Sequence, residues 1–209
     1  MPYTRYIKEY KDRFAFTPAD SYSFTVCGID VEVKTYVYEE GFRRSDMAEV
    51  ALKRGEKEYS FECVDGRDSL RMFHETELDG RKKLIFARAL YGFSVIDAES
   101  FEVYDYFPES LDEGDESFIV TSAKSHGGFV VFYGTYWAFG DDFLYVSDTK
   151  FNKFLMFRGE DSVDLSVLSD GKILIEIRDE GGKKTDIVLS ETELLEKISK
   201  EGTSEFEIL

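Results

Sequence analysis

The stretch GFVVFYGTYWAFGDDFLYVSD, Gly128 to Asp148, decides how the chain is read. Phe129, Val131 and Tyr133 alternate with Val130 and Phe132, so a strand here is apolar on both faces. Side chains alternate across a strand, and one that is apolar on both faces belongs in the middle of a covered sheet. Gly134 interrupts the rhythm and predicts a bulge. DFLYVSD reads as the next strand, with AFGDD as the connection between them.

Working outward, the same rhythm returns. A segment from Ser117 reads as four strand-like runs, SFIVTSAK, GFVVFYGTYW, DFLYVSD and KFLMFRG. It overlays on one from Arg71 (RMFHETEL, KKLIFARAL, GFSVIDA, EVYDYFP) and on one from Ser162 (SVDLSVLSD, KILIEIRD, TDIVLSE, EFEIL). A less similar set precedes them from Tyr22: YSFTVCG, DVEVKTYVYEE, MAEVALKRG and KEYSFECV. In that set Val31, Val33, Thr35 and Val37 share one face, as do Ala48, Val50 and Leu52, and Tyr59, Phe61 and Cys63. Cys27-Gly28, Asp65-Gly66, Asp79-Gly80, Asp170-Gly171 and Gly181-Gly182 punctuate the runs and suit tight hairpins. Short strands joined by tight turns make antiparallel meanders. A four-strand unit recurring at this spacing is the rhythm of propeller blades.

The expected fold is therefore all-β: four-stranded antiparallel meanders in a small or incomplete β-propeller-like arrangement, within a single domain over residues 1–209. Its sub-units are 22–66, 71–109, 117–159 and 162–209. The first set departs most from the others and leaves a separate N-terminal hairpin sheet open; the alternative architecture is a two-sheet β-sandwich. YGFSVIDAESFEVYDYFP and YGTYWAFGDDFLYVSD resemble blades of uncharacterised bacterial β-propeller-like proteins, over about residues 71–148. The resemblance implies a blade-like fold and carries no activity, cofactor or site residue with it.

One helix is expected near the C-terminus. In SETELLEKISKEG, Ser190 caps and Glu193 completes a capping box. Leu194, Leu195 and Ile198 form the apolar stripe, and Gly202 ends it. TRYIKEYKDRF, near the N-terminus, reads as a helical turn or an irregular arm.

Composition narrows the partners. Hydrophobic residues make up 43% of the 209-residue chain and aromatics 16%, enough for a packed core. Against 26 Lys and Arg stand 43 Asp and Glu, a net charge of −17. Nucleic acids and anionic membranes are bound by clustered Lys and Arg, so neither is an expected partner. Between Ala89 and Ala123 the chain carries Asp97, Glu99, Glu102, Asp105, Glu109, Asp112, Glu113, Asp115 and Glu116 and no basic residue. This run is either a solvated face or a surface for a basic partner. The N-terminus has no apolar secretory segment, so a cytoplasmic location is expected. Cys27 and Cys63, without paired spacing, are expected as buried thiols.

No motif for catalysis, metal or cofactor stands out, so none is expected. LDEGDES, Leu111 to Ser117, lacks the calcium-loop pattern. His74 and His126 have no zinc spacing. SHGG, Ser125 to Gly128, resembles a glycine-rich oxyanion loop without the nucleophile elbow to serve, and reads as a turn. The candidate binding residues are Tyr133, Tyr136, Trp137, Phe139, Asp141 and Asp142. Aromatics beside carboxylates at a strand end can stack on a sugar or hold a cation; the competing reading plugs Trp137 between sheets. Three functions are weighed. The first is a non-enzymatic binding or scaffold protein that offers strand-end loops and an acidic face to a protein partner, with homodimerisation open. The second is a small-molecule or carbohydrate site at Trp137, with hydrolase activity left open. The third is an acidic neutraliser of a basic protein, of the immunity type.

Overall fold

Every strand pairs with its neighbour in the chain. The computed structural model describes residues 2–64, 74–78, 80–89, 92–106, 119–135 and 141–204, with side chains from residue 5 onward. The strands form four antiparallel sheets and the chain divides into two compact units, Met1–Glu113 and Gly114–Leu209.

The first unit opens with α1 (Pro2–Arg13), a full helix where the sequence suggested a turn or an arm. Its first sheet runs β1 (Thr17–Val26), β2 (Ile29–Glu40), β3 (Arg43–Arg54) and β4 (Lys57–Val64), in that spatial order. β1 begins earlier than Tyr22, where the sequence placed it. Cys27 and Gly28 close the β1–β2 hairpin with φ of 50° and 72°, the two left-handed positions of a type I′ turn. The second sheet runs β5 (His74–Leu78), β6 (Arg81–Ala89), β7 (Gly92–Asp97) and β8 (Val103–Tyr106). Ile29, Val31, Val33, Val50, Leu52, Phe61 and Cys63 of the first sheet share one core with Leu84, Phe86 and Ile96 of the second. Phe61 and Phe86 stack at 4.3 Å across it. Truncating a ring so placed costs about 3–5 kcal/mol. α1 lies on the other face of the first sheet, where Ile7 and Tyr10 pack with Met47 and Val64.

The second unit carries β9 (Ile119–His126), β10 (Phe129–Thr135), β11 (Asp142–Asp148) and β12 (Phe154–Gly159) in one sheet. β13 (Ser162–Val167), β14 (Ile173–Arg178) and β15 (Lys184–Leu189) form the other, followed by α2 (Glu191–Glu201). Phe129 to Phe132 are buried on both faces of β10, as their alternation required. The β9–β10 register slips between Tyr133 and Gly134, the expected bulge. Leu194 and Ile198 of α2 complete a core shared by the two sheets. The capping box forms as read: Ser190 accepts from the Glu193 amide, and Glu193 accepts from the Ser190 amide. After α2 the chain turns to β12, where Thr203 and Phe154 exchange two backbone hydrogen bonds, at 2.7 and 3.0 Å. The fourth run expected here, EFEIL, lies outside the described residues.

Among the described residues the strand runs thus fall into four separate meanders, with no strand crossing from one sheet to another. A Greek-key sandwich would require such crossings.

Two hairpins repeat one device. Asp97 at the end of β7 accepts from the amides of Glu99 and Ser100 at 2.9 and 2.8 Å, and Asp148 at the end of β11 accepts from Lys150 at 3.0 Å. Each turn then places a phenylalanine in the left-handed region, Phe101 at φ 61° and Phe151 at φ 55°.

Candidate functional site

The sequence-selected cluster is taken first. Tyr136, Trp137 and Phe139 lie outside the described residues. Tyr133 is half-buried, and its hydroxyl donates to the Leu165 carbonyl at 3.3 Å. Burial, then the Asp164 charge, pushes its phenol up to about 12. Lys124 lies over the ring at 4.8 Å. Asp141 is buried and ion-paired with Arg158, while its carbonyl accepts from Thr135 Oγ1 at 3.0 Å. Asp142 pairs in register with Thr135, and burial, with Asp161 and Asp141 nearby, raises its carboxyl above the usual range. Tyr133 and Asp141 therefore serve internal contacts, and the ring of Tyr133 belongs to the core of the second unit.

The acidic run behaves similarly where it is described. Asp97 is buried against Lys83 at 2.8 Å, and Asp105 pairs with the buried Arg88 at 3.0 Å. Arg88 also donates to the Glu62 carbonyl at 3.1 Å and lies 4.5 Å above the Phe61 ring. Asp97 and Asp105 thus offset internal cations, while Glu99 and Glu102 of the same run are exposed. Glu109, Asp112, Glu113, Asp115 and Glu116 lie outside the described residues. Among the described residues, no group of three or more His, Cys, Asp or Glu is placed to hold a metal ion.

SHGG is a β9–β10 turn with a structural explanation. Gly128 N–H donates to Glu191 Oε1 at 2.8 Å, so the first turn of α2 clamps it. A Cβ on Gly128 would lie 2.7 Å from that oxygen.

One described surface with exposed aromatic side chains is the first sheet at β1. Tyr22, Phe24 and Val26 pair in register with Val33, Val31 and Ile29, so all three project from the core face. Val26 packs on the core, but Tyr22 is 42% and Phe24 36% exposed. Their rings stack at 6.3 Å. The apolar side chains of the core face thus extend to β1, where two of them are partly exposed. Among the described residues, β1 pairs with β2 alone.

Beyond the apolar patch under α1, the opposite face of this sheet is polar. It carries Asp30 and Glu32 on β2, Glu49 on β3 and Glu58 and Glu62 on β4, beside Lys34 and Lys53. Beneath α1 a cavity of about 650 Å³ is lined by Lys8, Lys11, Lys34, Glu49, Glu62 and Arg88, among others. Its charges are largely committed: Lys11 pairs with Glu62, Lys34 lies 3.5 Å from Glu32, and the Tyr36 hydroxyl donates to Glu49 at 2.8 Å. Further along this face a shallower cavity of about 510 Å³ reaches β1, between Ser21, Ser23, Asp30, Glu32 and Glu58.

The sequence marked β1 as a strand from Tyr22 but not as a binding surface. The signal was an absence: from Phe14 to Val33 the chain has no Lys or Arg, while Tyr22 and Phe24 stand two apart.

No family model matches the sequence, and no curated protein matches it. Among solved structures the chain is similar to the crystal structure of HIRA(644–1017), at 12% identity and a TM-score of 0.36. That likeness covers 82% of this chain and 54% of the other, so the chain spans about half the length of the structure it matches. Among the described residues, no helix is long and apolar enough to cross a membrane.

Proposed function

We propose that the protein is a non-enzymatic binding protein that takes a basic protein partner. The observation that carries this reading is at β1, where stacked, exposed Tyr22 and Phe24 project from one face and Asp30 and Glu32 line the other. Apolar anchors supply contact area, and nearby carboxylates steer a cationic partner and set its orientation. The excess of acidic residues across the chain favours the same choice of partner.

The test is affinity capture from host lysate with the full chain as bait, at low and high salt. A basic protein retained at low salt and released at high salt supports the reading. A bait that returns no partner in either condition overturns it.

A further inference from the structure

We infer that the partner binds as an added β-strand, an extended segment of alternating apolar and basic residues laid along Ser21–Val26. This rests on the basic-partner reading above and names the geometry of that same site.

Among the described residues β1 is an outer strand, ten residues long, and an outer strand presents a row of backbone donors and acceptors along its outer side. Natural edges are usually blunted by proline, bulges or charge. The first half of β1 has all three: Pro18, a register shift between Pro18 and Asp20, and the Asp20 carboxylate. The second half, Ser21 to Val26, has none of them. The protection stops where Tyr22 and Phe24 begin.

Alternation gives an added strand two distinct faces. One would continue the apolar surface of Tyr22 and Phe24. The other would lie beside Ser21, Ser23 and Thr25. There Thr25 Oγ1 donates to Asp30 Oδ1 at 2.9 Å, which draws that carboxylate toward the edge. Adjacent strands lie about 4.8 Å apart, so Lys or Arg on the added strand reaches across β1 to Asp30 and Glu32. Main-chain pairing supplies affinity in this mode, and the alternate side chains supply specificity. A second copy of this chain fits less well. It brings its own net charge of −17 and its own Asp20 and Asp30, with no basic residue between Phe14 and Val33 to meet them.

The test uses the full chain and two labelled ten-residue peptides of equal Val and Lys content, one alternating and one with the residues in blocks. Fluorescence anisotropy reads binding at low and high salt, and hydrogen exchange reads the amides of Ser21–Val26. The alternating peptide is expected to bind about tenfold tighter than the block peptide and to slow exchange at those amides. Phe24→Lys is expected to weaken it by a similar factor. The double variant Glu32→Gln/Asp30→Asn, which leaves the edge intact, is expected to flatten the salt dependence. Equal binding of the two peptides, or protection arising elsewhere, overturns the inference. Slowed β1 exchange without peptide, together with a dimer mass in sedimentation equilibrium, overturns it in favour of a second copy. If a lysate partner is captured equally by Phe24→Lys and the parent, strand addition at β1 is wrong while the basic-partner reading stands. If neither captures anything, the broader reading itself fails.

Discussion

Lys83 and Asp97 stand directly opposite one another across β6 and β7, and the ammonium donates to Asp97 Oδ2 at 2.8 Å. The carboxyl is buried, which alone would raise its pKa. Lys83 and the amides of Ser100 and Glu99 outweigh burial and hold it well below the usual carboxylate range. A carboxyl depressed in the folded state contributes stability that is present above its unfolded pKa, about 3.9, and is lost as pH falls through the folded value. The parent is therefore expected to lose denaturant resistance steadily below about pH 4. Asp97→Asn should start less stable by about 2 kcal/mol and show a shallower decline. Denaturant midpoints between neutral and acid pH check this, and parallel curves for the two proteins would refute it.

The paired left-handed phenylalanines invert a usual order of substitution. Phe151 is buried and makes an edge contact with Phe132 at 6.2 Å, so any truncation costs packing. Ala keeps the unfavourable backbone at φ 55°, whereas Gly relieves it. Phe151→Gly is expected to be more stable than Phe151→Ala by about 1 kcal/mol. In an ordinary strand position Gly would be the worse of the two. Thermal or urea unfolding of the two variants decides it.

Gly128 and Glu191 should be energetically coupled. Gly128→Ala pushes a methyl into Glu191 Oε1 and displaces the carboxylate from the turn amide, at a cost of about 1 kcal/mol. In a Glu191→Ala background that clash is gone and the penalty should shrink. A double-mutant cycle is expected to return a coupling of about 0.5–1 kcal/mol; strict additivity would show that the clamp contributes nothing.

Both thiols should be sluggish. Burial, reinforced by Glu75, pushes Cys27 up to about 11, and burial pushes Cys63 up to about 12. The thiolate is the reacting species, so neither should be alkylated readily at neutral pH in the native protein. Both should react promptly in denaturant, with Cys27 leading in the native state because Cys63 is fully enclosed. Mass spectrometry of alkylated protein over time gives the order.

The strands were legible because burial and period agree along them. Val31, Val33, Val50, Leu52 and Phe61 alternate with polar residues in the sequence and line one core in the fold. β10, apolar at every position from Phe129 to Phe132, is central for the same reason. α1 was harder to read. Its stripe of Tyr6, Ile7 and Tyr10 is surrounded by charge, and the helix owes its place to Met47 and Val64, far along the chain. Interactions of that kind leave no local mark. Within the acidic run the sequence could not show that Asp97 and Asp105 answer to Lys83 and Arg88, partners set by strand register. β1 was legible as a strand from Tyr22 but not as a surface, because an outer strand becomes visible only once strand order is known.

Strand order also bears on how the chain folds. Each strand's partner is the next or the previous one, so most pairing forms across a short turn and little entropy is spent closing long loops. Each meander can zip from its own hairpins as it leaves the ribosome, which leaves the face-to-face joining of two sheets within a unit as the long-range step. The Phe61–Phe86 stack is then a late contact, and its truncation should speed unfolding more than it slows folding.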